Sequence, residues 1–113
     1  NNMIIKEKIS KEELDKIFDQ YFETILKLVV DIEKEILSAG CEFHIDCAEE
    51  LFEKEGSHQK NLWGANLHRD SNIIDFVSLI NIKPAEKNRK MEIEDQEIRK
   101  KVDKIIKELL CTN

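Results

Sequence analysis

Proline occurs once in this 113-residue chain, glycine three times, and tryptophan and tyrosine once each. Breakers this sparse leave no repeat, low-complexity segment or linker that would divide the chain into two domains. Long hydrophobic runs are also missing. The longest candidate, Ile25 to Val30, is interrupted by Lys27 and falls far short of the roughly 20 residues that span a bilayer. A basic start followed by an apolar stretch and a small-residue cleavage site is absent, so no signal peptide is expected, and Asn1 and Asn2 ahead of Met3 read as an expression remnant. The three cysteines are an odd number without a secretory segment, which predicts reduced thiols and a cytoplasmic location. Net positive charge is lacking too. At −6, the chain repels a phosphate backbone, which disfavours nonspecific nucleic-acid binding.

What is present suits one small α+β domain over residues 3–113. Apolar residues make up 41% of the chain and charged residues 37%, enough for a single core and too regularly spaced for disorder. Met3 to Ile9 reads as a strand. Ser10-Lys11-Glu12-Glu13 is a capping box, and the apolar spacing from Leu14 through Ile17, Phe18, Tyr21, Ile25, Leu28, Val29, Ile32 and Ile36 predicts one long N-terminal helix ending at Gly40. Glu42 to Ile45 reads as a strand, with Asp46 capping a short helix that Gly56 stops. Asn61 to His68 and Ile74 to Lys83 read as a hairpin, closed by Pro84. Asp95 caps a last helix whose stripe is Ile98, Val102, Ile105, Ile106, Leu109 and Leu110. The expected architecture is two-layer: a mainly antiparallel four-stranded sheet, ordered β-α-β-α-β-β-α, covered by the first and last helices.

Residue types that bind, ligate or move protons crowd into Gly40 to Arg69, which holds every glycine, every histidine, the tryptophan and two of the cysteines. Within and after this stretch, His44-x-Asp46, Gly56-Ser57-x-Gln59-x-x-Leu62-Trp63-Gly64-x-Asn66, Ser78-Leu79-Ile80-Asn81-Ile82-Lys83-Pro84 with Asn88-Arg89, and Asp95-x-x-Ile98-Arg99 form a signature. It resembles that of a family of small microbial proteins grouped as a domain of unknown function, with a likeness running from Met3 over nearly the whole chain. Trp-Gly-x-Asn and Ile-Asn-Ile-Lys-Pro are its more distinctive pieces. Lys90 and Gln96 depart from the pattern, which has Ser and Pro there, so any ligand contact made by that serine is lacking here. The resemblance implies a fold and a location for polar residues, and no activity.

Cys41-x-x-His44-x-x-Cys47 has zinc-ligand residue types, but on a strand both cysteines share a face opposite His44, and no usual ligand spacing completes a cage, so no metal and no cofactor is expected. His44 and Asp46 on a continuing strand would share a face, as a general base and its orienter do. The simpler reading makes Asp46 a cap and His44 a partly exposed strand residue, and no nucleophile motif accompanies them. Gln59, Trp63, Asn66, His68, Asn81 and Arg89 are candidates for ligand binding. Asn66, His68 and Asn81 would line one hairpin face beside Gly64, either around a pocket or as a hydrogen-bond cluster locking the hairpin. Lys83, Lys87, Arg89 and Lys90 are basic, but Glu86, Glu92, Glu94 and Asp95 compete with any anion there.

Three functional readings follow. The first is a cytosolic module binding a small polar ligand or a protein partner, with no membrane association. The second is a small hydrolase-type enzyme using His44 and Asp46, with Arg89 on an anion. The third is a nucleic-acid-associated accessory protein, which the acidity weakens. A second apolar line on the first helix, Phe22, Leu26, Val30 and Leu37, needs a cover, either the last helix or a second copy in a homodimer.

Overall fold

The structure, a computed structural model, describes residues 2–20 and 23–110. Its elements in chain order are β1 (Met3–Ile5), α1 (Lys11–Gln20), β2 (Ile25–Asp31), β3 (Ile36–Ala39), α2 (His44–Glu55), β4 (Leu62–His68), β5 (Ile74–Asp75) and α3 (Gln96–Leu110). Short 3₁₀ turns occupy Gln59–Asn61, Leu79–Asn81 and Pro84–Glu86. The strands form one five-stranded antiparallel sheet ordered β1-β3-β2-β4-β5. Among the described residues this is an α+β fold with three helices and a five-stranded sheet, where the sequence predicts four strands.

Two unexpected strands come from the segment expected to continue the first helix, and the strand expected over Glu42 to Ile45 is lost. α1 spans Lys11–Gln20, and residues 25–39 form the β2–β3 hairpin instead of further helix. Asp31 makes the turn: its Oδ1 accepts from the Glu33 and Lys34 backbone N–H groups at 2.9 and 3.0 Å, and Glu35 takes a left-handed φ of 58°. Leu26, Val30 and Leu37, expected on a helix flank that needs a cover, are instead strand residues buried in the core. Tyr21 and Phe22 lie outside the described residues.

Helices α1 and α3 cover one face of the sheet and α2 part of the other. On the first face, Leu14, Ile17 and Phe18 of α1 and the α3 stripe from Val102 to Leu110 pack on Leu28, Val30, Leu37, Trp63, Ala65 and Leu67. On the second, Cys47, Ala48 and Leu51 of α2 pack on Val29, Ile36 and Leu62. The expected two layers thus gain a partial third. The capping box stands: Ser10 Oγ accepts from the Glu13 N–H and Glu13 Oε1 from the Ser10 N–H, each at 3.1 Å. Asp95 Oδ1 likewise accepts from the Glu97 and Ile98 amides at 2.8 and 3.3 Å where α3 starts.

Three further expectations change near the site. Glu42 to Ile45 is not a strand; α2 already starts at His44, its N-cap is Phe43 rather than Asp46, and no side chain caps it. Gly56 does end it, in the left-handed conformation (φ 66°) that spares glycine a Cβ clash. The strand expected over Ile74 to Lys83 lasts two residues before Ser78 Oγ accepts from the Ile80 N–H and starts the Leu79–Asn81 turn. Cys41 and Cys47, expected as free thiols, are joined in a disulfide, and Cys111 lies outside the described residues.

Candidate binding groove

The uncovered part of the second sheet face is a groove between α2 and the chain from Val77 to Glu86. Its floor is set by strand register. Lys27, Asn66 and Asp75 stand side by side on β2, β4 and β5, all pointing to the α2 face. One wall is the start of α2, where Phe43, His44 and Ile45 enter. The other is the 3₁₀ turn at Leu79–Asn81, with Val77, Ile80 and Met91 beside it. These residues enclose a cleft of about 470 Å³, and Ile45 and Ile80 are shared with a second cleft of about 470 Å³ that runs past Ala48, Gln59, Ile82 and Lys83. Ile45, Ala48, Gln59 and Leu62 continue into a third of about 310 Å³ that reaches Phe52.

The rim is apolar and open to solvent. Leu79 is 71% exposed, Phe52 64% and Phe43 60%. Among the described residues nine large apolar side chains are exposed, and all except Met3 and Ile73 line these three clefts. Scattered exposed apolar groups are ordinary, whereas a contiguous set marks an interaction surface. Helix periodicity explains α2's share. Cys47 and Leu51 face the sheet, while Ile45 and Phe52, seven residues and about 10 Å apart, share the groove side.

The turn that carries Leu79 is pinned to β4 by Asn81. This fully buried carboxamide accepts from the Gly64 N–H at 2.7 Å and donates to the Gly64 carbonyl at 3.0 Å, replacing a strand partner at that position. It also donates to the Phe76 and Met91 carbonyls at 3.2 and 3.0 Å. Gly64 is where this approach is closest. A Cβ there would lie 2.5 Å from Ser78 Cβ and 3.2 Å from His44 Cδ2, so no larger residue fits. Asn88 fixes the following loop in the same way, donating to the Asn81, Lys90 and Glu92 carbonyls at 2.8, 2.9 and 3.0 Å.

The polar floor is knit together. Asn66 Nδ2 donates to Asp75 Oδ1 at 2.7 Å and to the Val77 carbonyl at 3.0 Å, and His68 Nε2 meets Asp75 Oδ2 at 2.7 Å. Burial pushes the Asp75 carboxyl pKa up, but hydrogen bonds from Asn66, His68 and the Val77 N–H outweigh it and hold the pKa below the usual carboxylate value. His44 Nε2 lies 3.0 Å from the Ala65 carbonyl, a contact that requires the proton on Nε2 and leaves the Nδ1 lone pair in the neutral ring. Burial lowers the His44 pKa, only partly opposed by the Ala65 carbonyl and the Asn66 side chain, so the ring is neutral at pH 7.

The sequence candidates therefore separate. His44 and Asn66 come together at one end of the groove, and His68 joins them through Asp75. Gln59 lies in the second and third clefts, beyond Ile45. Asn81 is enclosed beneath the groove wall as a scaffold residue. Trp63 points into the opposite core, 1% exposed, with the Lys83 ammonium 5.4 Å from its ring. Asp46 is exposed on α2; two helical residues are turned about 200° from each other, so it does not meet His44. Arg89 is exposed, with its backbone N–H donating to Glu94 Oε2 at 2.8 Å, away from the groove. Burial lowers the Lys83 pKa, and its ammonium donates to the Ile80 carbonyl at 2.9 Å. Among the described residues no three His, Cys, Asp or Glu side chains group as metal ligands do, and no helix is long and apolar enough to cross a membrane.

Sequence reasoning missed Lys27, Asp75 and the apolar rim. The signal for Lys27 was its interruption of an apolar run, which on a strand marks a polar position on one face. Asp75 had no separate signal, since its role depends on strand register. Phe43 and Ile45 fall within the strand expected over Glu42 to Ile45, which does not form.

No curated protein and no solved structure matches the chain. A family model described as a protein of unknown function (DUF5674) matches residues 3–109, and it is to this family that the chain belongs.

Proposed function

We propose that this protein is a binding module whose groove between α2 and the Leu79–Asn81 turn takes an apolar segment of a partner polypeptide. The observation that carries the reading is the gathering of the exposed large apolar side chains onto this face, with only Met3 and Ile73 elsewhere among the described residues. Its walls are a helix and a pinned turn, so the surface is in place before anything binds, which limits the ordering cost of association. Three linked clefts in a row suit a chain segment better than one compact molecule.

Charge favours a partner over a second copy. The clefts are lined by three lysines (Lys27, Lys60, Lys83) and three carboxylates (Glu49, Asp75, Glu86), so the groove is neutral within a chain of net charge −6. Two acidic copies repel outside the patch, whereas a neutral or basic partner does not. The same balance argues against a nucleic-acid surface, which needs a continuous basic stripe. A hydrolase reading loses its orienter, because Asp46 faces away from His44. A second reading is favoured by the Lys27-Asn66-Asp75 row: a small amphipathic ligand whose polar end lies on that row and whose apolar body lies against Phe43, Ile45 and Leu79.

Selection of a displayed random peptide library on the immobilised protein tests the proposal. The expected result is an apolar consensus whose synthetic peptide shifts NMR amide signals of residues 43–52 and 77–82. Peptides that shift only signals elsewhere contradict it, and light scattering that shows a dimer blocking the groove would replace the partner with a second copy.

A further inference from the structure

We propose that the Cys41–Cys47 disulfide is a redox tether that holds the α2 wall of the groove closed, so that its reduction weakens docking; this rests on the docking reading above. The bond spans the residues that form the wall. Between the two cysteines lie Phe43, His44 and Ile45, all of which line the first cleft. The bond also does work that the sequence leaves undone. The N-cap of α2 is Phe43, with no side-chain cap, so the first-turn N–H groups lack the oxygen that Ser, Thr, Asp or Asn would supply. The contacts that otherwise anchor that turn are modest: His44 Nε2 to the Ala65 carbonyl at 3.0 Å, Asn2 Nδ2 to the Asp46 carbonyl at 3.4 Å, and the Asp46 N–H to the Phe43 carbonyl at 3.0 Å. The disulfide closes this turn back onto the residue after Gly40, at the end of β3.

Reduction requires an external dithiol, and its chemistry is balanced as two exchanges. A thiolate of the dithiol attacks Cys41 Sγ, the less buried of the two at 3% residue exposure against 0% for Cys47; the S–S bond breaks, and Cys47 leaves as a thiolate near the N-terminal N–H groups of α2. The second thiol of the reductant, as thiolate, then displaces Cys41 from the mixed disulfide. Two electrons pass to the protein, both cysteines are protonated by solvent or the dithiol's protons, and the dithiol ends as its own disulfide. The reduced state has a place for Cys41, whose sulfur lies 3.6 Å from the Lys27 carbonyl and can donate to it, so the sheet end keeps its contact while the helix end is released. Both sulfurs are enclosed, so exchange proceeds through local opening of the turn that the bond restrains.

The test compares the full chain, carrying Cys111→Ser to remove the third thiol, before and after dithiothreitol, with a Cys41→Ala/Cys47→Ala variant as a permanently untethered form. Mass spectrometry after alkylation verifies each state. Hydrogen exchange of the amides of residues 44–47 is expected to quicken about tenfold or more in both untethered forms while α3 stays protected. The apolar dye bis-ANS, used as the groove probe, is expected to bind the untethered forms at least about threefold more weakly. Unchanged exchange at residues 44–47, or equal dye affinity in tethered and untethered forms, overturns the proposal, as does air-oxidised protein in which both thiols remain free to alkylate. Dye that binds neither form, or that remains bound when Leu79 is changed to Glu, is a failure of the docking reading instead, and faster exchange then still establishes the tether itself.

Discussion

Replacing Asn81 with alanine tests how the groove wall is built. The carboxamide is fully buried and makes four hydrogen bonds. Their loss is unequal. The Phe76 and Met91 carbonyls also accept from the Ile93 and Ser78 N–H groups, at 3.1 and 3.0 Å, and so keep a partner. The Gly64 N–H and carbonyl point away from β2 toward Asn81 and are left orphaned. An unsatisfied buried group costs about 1–3 kcal/mol, so the two together, with the small void, give about 3–5 kcal/mol. Set against a total of about 5–15 kcal/mol for a domain, this is a severe loss. Urea denaturation followed by circular dichroism is the assay, read as a lower midpoint at unchanged slope. Asn81→Asp should be no milder, because it keeps the acceptor for the Gly64 N–H but turns a second oxygen toward three carbonyls. A loss below about 1 kcal/mol in Asn81→Ala would refute the scaffold role and return Asn81 to the ligand-facing candidates.

Three further outcomes are expected. Gly64→Ala places a Cβ 2.5 Å from Ser78 Cβ and should cost about 2–3 kcal/mol by overpacking, partly recovered by adding Ser78→Gly; a variant as stable as the wild type in thermal melts contradicts the close approach. His44 is held neutral by burial, so its folded pKa lies below the unfolded one; the associated stability is present above about pH 6.5 and is lost as pH falls through the folded value. An NMR titration placing the ring above pH 6.5, or a His44→Gln variant with the same pH dependence of stability between pH 7.5 and 5, contradicts that assignment. Leu79→Glu should change folding stability by no more than about 0.5 kcal/mol, since the side chain is 71% exposed, and a large loss in a urea titration would make Leu79 structural instead.

The parts of the fold legible in the sequence are those whose signals are local. Ser10 with Glu13, Gly56, Asp95 and the α3 stripe mark helix ends and one buried face, and each stands where expected. The β2–β3 hairpin was not legible. Its strands are covered on both faces, so the alternation that identifies a strand is lost, and Ile25, Leu28, Val29, Ile32 and Ile36 fall by chance on a helical spacing. The β-branched content of Ile25, Val29, Val30 and Ile36 was the opposing signal. At the site, His44 and Asn66 could be singled out as polar groups within an apolar stretch. Their convergence with Asp75 and Lys27 could not, because it depends on which strands pair and in which register. Asn81 illustrates the opposite error: a carboxamide that replaces a strand partner has the same sequence signature as one that meets a ligand.

The docking claim is tested most directly by the affinity of a library-selected peptide, measured by fluorescence anisotropy, for three forms of the protein: wild type, Leu79→Glu, and Met3→Glu. Met3 is also exposed, at 46%, but lies on β1 away from the groove. Leu79→Glu should weaken binding about tenfold or more, the scale of an interface side chain contributing about 1.4 kcal/mol, while Met3→Glu leaves it unchanged. Equal affinity for wild type and Leu79→Glu, or an equal loss in both variants, would contradict the groove as the binding surface.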